Sequence, residues 1–216
     1  MTIRAVLFDV DGTLVDSNYL HIDAWQRAFA ELGTPVDAWR VHRALGRDSG
    51  QLLREVVGER DDDWNDRARA LHAENMQELA PRLRAFDGAA DLLRTIAGRG
   101  IRVVLATSAS EDELAMLRRA IDADDAVHAA TSADDVEQAK PDPGILEVAL
   151  RRADATAAEA LVVGDSVWDM TAAGRAGIRS VGVLCGGVGP GELTDAGAQE
   201  VFDGPAAVLE ALDRLL

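Results

Sequence analysis

The chain has 216 residues, 48% hydrophobic and 28% charged, a composition that describes a soluble globular protein with one large domain or one domain carrying an insert. Its formal charge of −16 repels phosphate backbones and argues against nucleic acid as a partner, while the absence of any span-length apolar run or signal peptide argues against a membrane. The single cysteine, Cys185, cannot form an internal disulfide, so a reducing cytoplasm is the expected setting.

Residues 3–8 are apolar and rich in β-branched side chains apart from Arg4, the pattern of a strand buried on both faces. The run ends in two acids, Asp9 and Asp11, followed at once by Gly12. Two carboxylates leaving a buried strand are costly without compensation, and a divalent cation such as Mg²⁺ is the usual one. Strict alternation would send them to opposite sides. The chain is therefore expected to leave strand geometry at Val10, with Gly12 permitting the turn, so that both acids serve one reacting centre. A bare D-x-D can simply cap a strand, but D-x-D-G-T-L after an apolar run is far more specific.

From residue 17 to about 80 the spacing is helical. Leu20, Ala24, Trp25, Ala28, Phe29 and Leu32 recur at three- and four-residue intervals, and Gly33 closes the segment. Three more helices are predicted: one ending near Leu45, one through Leu52 to Val57, and one from the acids 61–63 to Leu79. Those acids read as favouring a helix N-terminus rather than as chemistry. No strand pattern occurs in this block. After Pro81 the signal changes. Strands are predicted over 101–106, 126–130, 160–163, 178–183 and 200–202, alternating with helices over 88–97, 111–120, 143–152, 167–176 and 205–215. That alternation implies a parallel sheet with right-handed crossovers, so the helical block reads as an insertion after the first strand. The glycine-rich stretch 186–191 follows a late strand, has no P-loop lysine, and reads as a flexible connection.

Three further stretches carry chemistry. Thr107-Ser108-Ala109 ends a strand, where a hydroxyl and backbone N–H groups suit phosphate oxygens, although threonine there is often only a helix cap. Lys140 is the chain's one lysine against 21 arginines, and it stands in Ala-Lys-Pro-Asp-Pro-Gly. So acidic a chain needs a local cation to receive an anionic substrate, which makes that position informative. Asp165 and Asp169 follow the strand at 160–163, one on its exit and one in the first helical turn. They could converge on one ion, or Asp169 could simply favour the helix N-terminus. Trp168 beside it reads as packing.

In this order the four stretches resemble the motifs of the haloacid dehalogenase superfamily of phosphatases and phosphomutases, across essentially the whole chain. The resemblance implies an α/β fold: a Rossmann-like parallel sheet with helices on both faces over 1–16 and 84–216, and an inserted helical-bundle cap over 17–83. It implies that Asp9 is the nucleophile and Asp11 the general acid/base. A dehalogenase usually lacks the second acid, so Asp11 points to phosphoryl chemistry. Thr107 would bind phosphate through its hydroxyl, Ser108 and Ala109 through backbone donors, and Lys140 would balance charge. Mg²⁺ would be held by the Asp9 carboxylate, the Asp11 carbonyl and Asp165, with Asp169 a ligand or the partner of one.

The implied activity is Mg²⁺-dependent hydrolysis of a small phosphate monoester through an aspartyl-phosphate, by a monomer or homodimer acting on a phosphorylated metabolite. D-G-T-L-V-D-S followed by a helix ending in Leu-Gly is similar to the phosphoglycolate phosphatase-like members. His21 and Arg47, in the insert, are candidate substrate contacts, with satisfied or solvated side chains as the alternative. A β-phosphoglucomutase-like mutase is the runner-up. Its cap lysine is missing here, and Arg82 or Arg84 would have to replace it. A phosphonoacetaldehyde hydrolase needs a cap lysine for its Schiff base, which this chain lacks. A non-catalytic phosphoester-binding protein would usually have lost an acid or the lysine, and all are present.

Overall fold

The first apolar run forms β1 (Ala5–Phe8), buried at all four positions, and the rest of the sheet is laid down on either side of it. The computed structural model describes residues 2–136 and 140–216. Within them β2 (Arg102–Ala106), β3 (Val127–Thr131), β4 (Ala160–Gly164), β5 (Arg179–Val183) and β6 (Glu200–Phe202) complete a sheet of order β3-β2-β1-β4-β5-β6. Every neighbouring pair is parallel. Phe8 is level with Leu105 on one side and Val163 on the other, so the residues leaving β1, β2 and β4 emerge at one edge. In such a sheet the edge beyond the strands' carboxyl ends, where the winding direction reverses, is the place for a ligand.

The helices, in chain order, are α1 (Asn18–Glu31), α2 (Ala38–Ala44), α3 (Ser49–Val57), α4 (Asp62–Leu79), α5 (Ala89–Gly98), α6 (Glu111–Ile121), α7 (Gly144–Arg152), α8 (Val167–Arg175), α9 (Pro190–Asp195), α10 (Pro205–Glu210) and α11 (Leu212–Leu215). One face of the sheet (Ala5, Leu7, Val104, Ala106, Ala160 and Val162) packs against Ile145, Leu146 and Ala149 of α7 and Ala172 and Ala173 of α8. The alternate residues Val6, Phe8, Val103 and Leu105 are equally buried, and α5 packs against β2. No helix among the described residues is long and apolar enough to cross a membrane.

The chain forms two compact units, Met1–Asp16 with Arg84–Leu216, and Ser17–Leu83. The second is wholly helical, and its core gathers Ile22, Trp25, Phe29, Val41, Leu52, Leu53, Val56 and Leu71 from all four of its helices. Asp61 caps α4 by accepting a hydrogen bond from Trp64 N at 2.8 Å, so the acidic run there does cap a helix. Where the chain leaves and re-enters the sheet unit, the two segments pair: Asp16 N donates to Arg84 O and Phe86 N to Leu14 O, each at 2.9 Å, around an antiparallel Val15–Ala85 bridge.

Two sequence expectations are corrected. The helix expected over 205–215 divides at Ala211 into α10 and α11. The glycine-rich stretch is ordered rather than a flexible connection. A 3₁₀ turn at Leu184–Gly186 is followed by α9, which Pro190 opens at its first position and which Leu193, fully buried against Met170 and Ala198, anchors.

Candidate active site

Asp9 stands one residue beyond β1, its N–H still donating to Val163 O at 2.9 Å as a strand residue would. The chain then turns sharply: Val10 O accepts from Thr13 N, Leu14 N and Val15 N at 2.9–3.2 Å, and Gly12 adopts φ 72°. The strand geometry therefore ends at Val10, and Asp11 sits half-buried on the turn. Thr13, fully buried, puts Oγ1 3.3 Å from Asp9 Oδ2 and 3.2 Å from Asp165 Oδ1. Its one hydroxyl hydrogen serves one of them at a time.

Lys140 lies in the connection between β3 and α7 and is almost completely buried. Its ammonium donates to Asp9 Oδ1 at 2.6 Å and to Ala106 O, the last residue of β2, at 2.8 Å, and pairs with Asp169 Oδ1 at 2.7 Å. Three donors meet three acceptors, which is what a buried ammonium requires. Burial opposes its charge, but Asp169 and Asp9 outweigh burial and hold it protonated above the usual lysine range. Asp9 is pushed up to about 7, chiefly by burial, with Asp169 and Asp11 adding to that and Lys140 pulling the other way.

Asp165 is the first residue after β4, and Asp169 lies in the first turn of α8. Ser166 caps that helix by accepting from Asp169 N at 3.2 Å, and Asp169 Oδ2 accepts in return from Ser166 N at 3.1 Å and Ser166 Oγ at 2.6 Å. Both oxygens of Asp169 are thus engaged, one by Lys140 and one by Ser166. Carboxyl oxygens of Asp9, Asp165 and Asp169 lie within 4.8 Å of one another. Three carboxylates against one ammonium leave excess negative charge on hard oxygen donors, a set that fits a cation such as Mg²⁺.

Thr107 follows β2 and is buried. Its Oγ1 accepts from Ala109 N at 3.0 Å, so that backbone donor is already used within the loop. Ser108 Oγ is buried without a hydrogen-bond partner among the described residues, an orphaned donor beside Thr107. Beside Asp165 lies the turn after β5, where sequence reasoning read Cys185 only for its redox setting and 186–191 only as a connection. The Cys185 thiol donates to Gly12 O at 3.2 Å, tying the turn after β5 to the loop after β1. Burial and the nearby Asp165 push that thiol up to about 12, so it stays a donor.

The other two predicted contacts belong to the helical unit. His21, in α1, is buried with Nδ1 3.1 Å from His72 Nε2, and Trp25 stacks on the His72 ring. Burial and His21 hold His72 well below the usual histidine range. Arg47 sits between α2 and α3 and pairs with Glu55 at 3.5 Å. Thr13, Ser166 and His72 were not singled out from sequence, and Cys185 was read only for its redox setting. Of these only Ser166 left a signal, as the Ser-x-x-Asp of a capping pattern.

The sequence pattern of the family described as haloacid dehalogenase-like hydrolase matches residues 6–183. A phosphoglycolate phosphatase of Rhodospirillum rubrum is 33% identical over 210 residues, covering 93% of this chain and 87% of that protein. Among solved structures, a hydrolase from Pseudomonas syringae superposes with a TM-score of 0.94 at 34% identity, over 99% of each chain. A β-phosphoglucomutase from Clostridium difficile shares the fold at 19% identity, with a TM-score of 0.87 over 99% of this chain and 96% of that one.

Proposed function

The chain belongs to the haloacid dehalogenase-like hydrolases, and we propose that it is a Mg²⁺-dependent phosphatase cleaving a small phosphate monoester through an aspartyl-phosphate on Asp9. The observation that carries this reading is the Lys140 ammonium held between Asp9 and Asp169, 2.6 and 2.7 Å away, at the carboxyl edge of the sheet. A lysine so placed lowers the cost of bringing an anionic phosphate against an anionic nucleophile.

Asp9 attacks phosphorus as the ester P–O bond breaks, and Asp11 gives a proton to the departing alkoxide. Asp11 then takes a proton from the water that cleaves the acyl phosphate, releasing inorganic phosphate and restoring Asp9. Lys140 holds the charge of the attacking carboxylate and the phosphoryl oxygens. Asp169, with Ser166 behind it, holds Lys140. Thr107 and the Ser108 hydroxyl supply donors to the phosphate. Mg²⁺, held by Asp9, Asp165 and the Asp11 carbonyl, would neutralise further charge on the phosphoryl oxygens.

The physiological partner is a small phosphorylated metabolite, in keeping with the relative named phosphoglycolate phosphatase. Selection among such esters is assigned to the helical unit, as the cap of the family resemblance, with His21 and Arg47 as its contacts. A cytoplasmic setting fits the single thiol.

The test is Mg²⁺-dependent phosphate release over a panel including phosphoglycolate and sugar phosphates, with Asp9→Asn as control. Release from one ester, lost in Asp9→Asn, is expected. Activity surviving in Asp9→Asn would remove the nucleophile assignment. Conversion of β-glucose 1-phosphate to glucose 6-phosphate without net release would make the protein a mutase instead.

A further inference from the structure

The turn after β5 stands outside the stretches that carry the proposed reaction, yet it touches two of them. β5 pairs with β4 in parallel, with Gly182 level with Gly164, so the residues leaving β5 run beside Asp165. The 3₁₀ turn at Leu184–Gly186 then brings the Gly186 backbone against the Asp165 carboxyl group. A Cβ on Gly186 would overlap Asp165 Oδ2 and Cγ and stand 2.5 Å from Asp165 Cβ. Gly186 is not among the glycines of positive φ, so space and not backbone freedom is what the position demands. Gly164 has the same relation to the other acid, with its Cβ position 2.6 Å from Asp169 Cβ and Cγ.

The neighbouring residue fixes the turn. Cys185 Sγ donates to Gly12 O at 3.2 Å and reaches Thr13 O at 3.8 Å, both in the loop that follows Asp9 and Asp11. Thr13 Oγ1 in turn lies 3.2 Å from Asp165 Oδ1. The Asp165 carboxylate is therefore bounded on one oxygen by the Thr13 hydroxyl and on the other by the Gly186 backbone, and Cys185 ties those two boundaries together.

We propose that Cys185 and Gly186 are positioning residues for Asp165, setting the orientation of its carboxylate toward a divalent cation. The proposal rests on the reading that Asp165 holds that cation. Alanine at 186 would turn the carboxylate away from this orientation and, with Asp165 Cβ only 2.5 Å from the added carbon, shift the turn after β5 or the exit of β4 as well.

The experiment is a titration of MgCl₂ by isothermal calorimetry, with thermal unfolding measured before and after metal. Wild type, Asp165→Asn, Gly186→Ala, Cys185→Ala and Cys185→Ser are compared. Gly186→Ala is expected to weaken Mg²⁺ at least ~10-fold, with a metal-free unfolding transition that stays cooperative and a midpoint lowered by about 4–8 °C. Cys185→Ala is expected to weaken it roughly threefold, and Cys185→Ser, which keeps a donor, to recover most of that loss. Wild-type Mg²⁺ affinity in Gly186→Ala would overturn the proposal. Should that variant fail to fold, the two Cys185 variants decide: equal affinities overturn it, and a weaker alanine supports it. No Mg²⁺ binding by wild type, or undiminished binding by Asp165→Asn, would instead overturn the cation reading beneath it.

Discussion

Lys140 in the sheet unit and His72 in the helical unit are both buried bases, and they meet opposite fates. Desolvation pushes each toward its neutral form. Lys140 finds two carboxylates within 2.7 Å and keeps its charge. His72 finds another histidine at 3.1 Å and an indole face with ring centroids 4.2 Å apart, and its proton affinity falls. Depth of burial is nearly the same, so the groups in contact decide the charge. One region concentrates charge at a strand edge. The other surrounds its buried imidazole with rings and lowers its proton affinity.

The strongest way to break this contrast is to remove the ammonium. Lys140→Met leaves Asp9 and Asp169 buried without their cation, and kcat/KM on the best ester should fall by roughly 10³-fold or more. Urea unfolding of the metal-free variant should show a loss of about 3–5 kcal/mol, the usual effect of stripping one partner from a buried ion pair. Activity within tenfold of wild type would mean that Lys140 is only structural.

On the helical side the sharper measurement is stability against pH. A histidine whose folded pKa lies below its unfolded value binds fewer protons folded than unfolded. Its contribution is fully present above about pH 6.5 and is lost as pH falls through that value toward the folded pKa. The slope contributed by His72 should approach ~1.4 kcal/mol per pH unit at most. His72→Phe, which keeps a ring against Trp25, should flatten it, and an unchanged slope would show that another group titrates.

The smallest effect compares two helix caps. Asp61→Ala should cost about 1 kcal/mol in unfolding and leave kinetics untouched, since Asp61 caps α4 far from any reacting group in sequence. Ser166→Ala should cost a similar cap and also slow turnover, because Ser166 holds the acid that holds Lys140.

How much of this was legible in the sequence follows from how local each signal is. β1 was readable because an unbroken apolar run ends in acids, and Asp9, Thr107 and Asp165 could be put at strand exits because each follows such a run directly. The parallel sheet followed from alternation alone. His72 was invisible because its meaning lies in a partner on α1, distant in the chain. The contacts of Cys185 and Gly186 were hidden for the same reason: a thiol reaching Gly12 and a glycine against Asp165 are brought together by strand order, not by spacing. The glycine-rich stretch misled because glycine content signals freedom in a sequence, whereas at Gly186 it answers a shortage of room. Composition cannot distinguish the two.

The paired crossing at Leu14–Asp16 and Arg84–Phe86 has an evolutionary consequence. Hydrogen-bonded antiparallel neighbours lie about 5 Å apart, so the sheet unit ends on either side of residues 17–83 in two segments that a short turn could join. Loop-closure entropy rises only slowly with length, by about 0.6 kcal/mol for each doubling. The junction therefore tolerates inserts of very different size at little cost. A lineage can exchange what lies between residues 16 and 84 while the acids, the lysine and the strands that carry them are inherited unchanged. The sheet unit and the helical unit are separately heritable in such a chain.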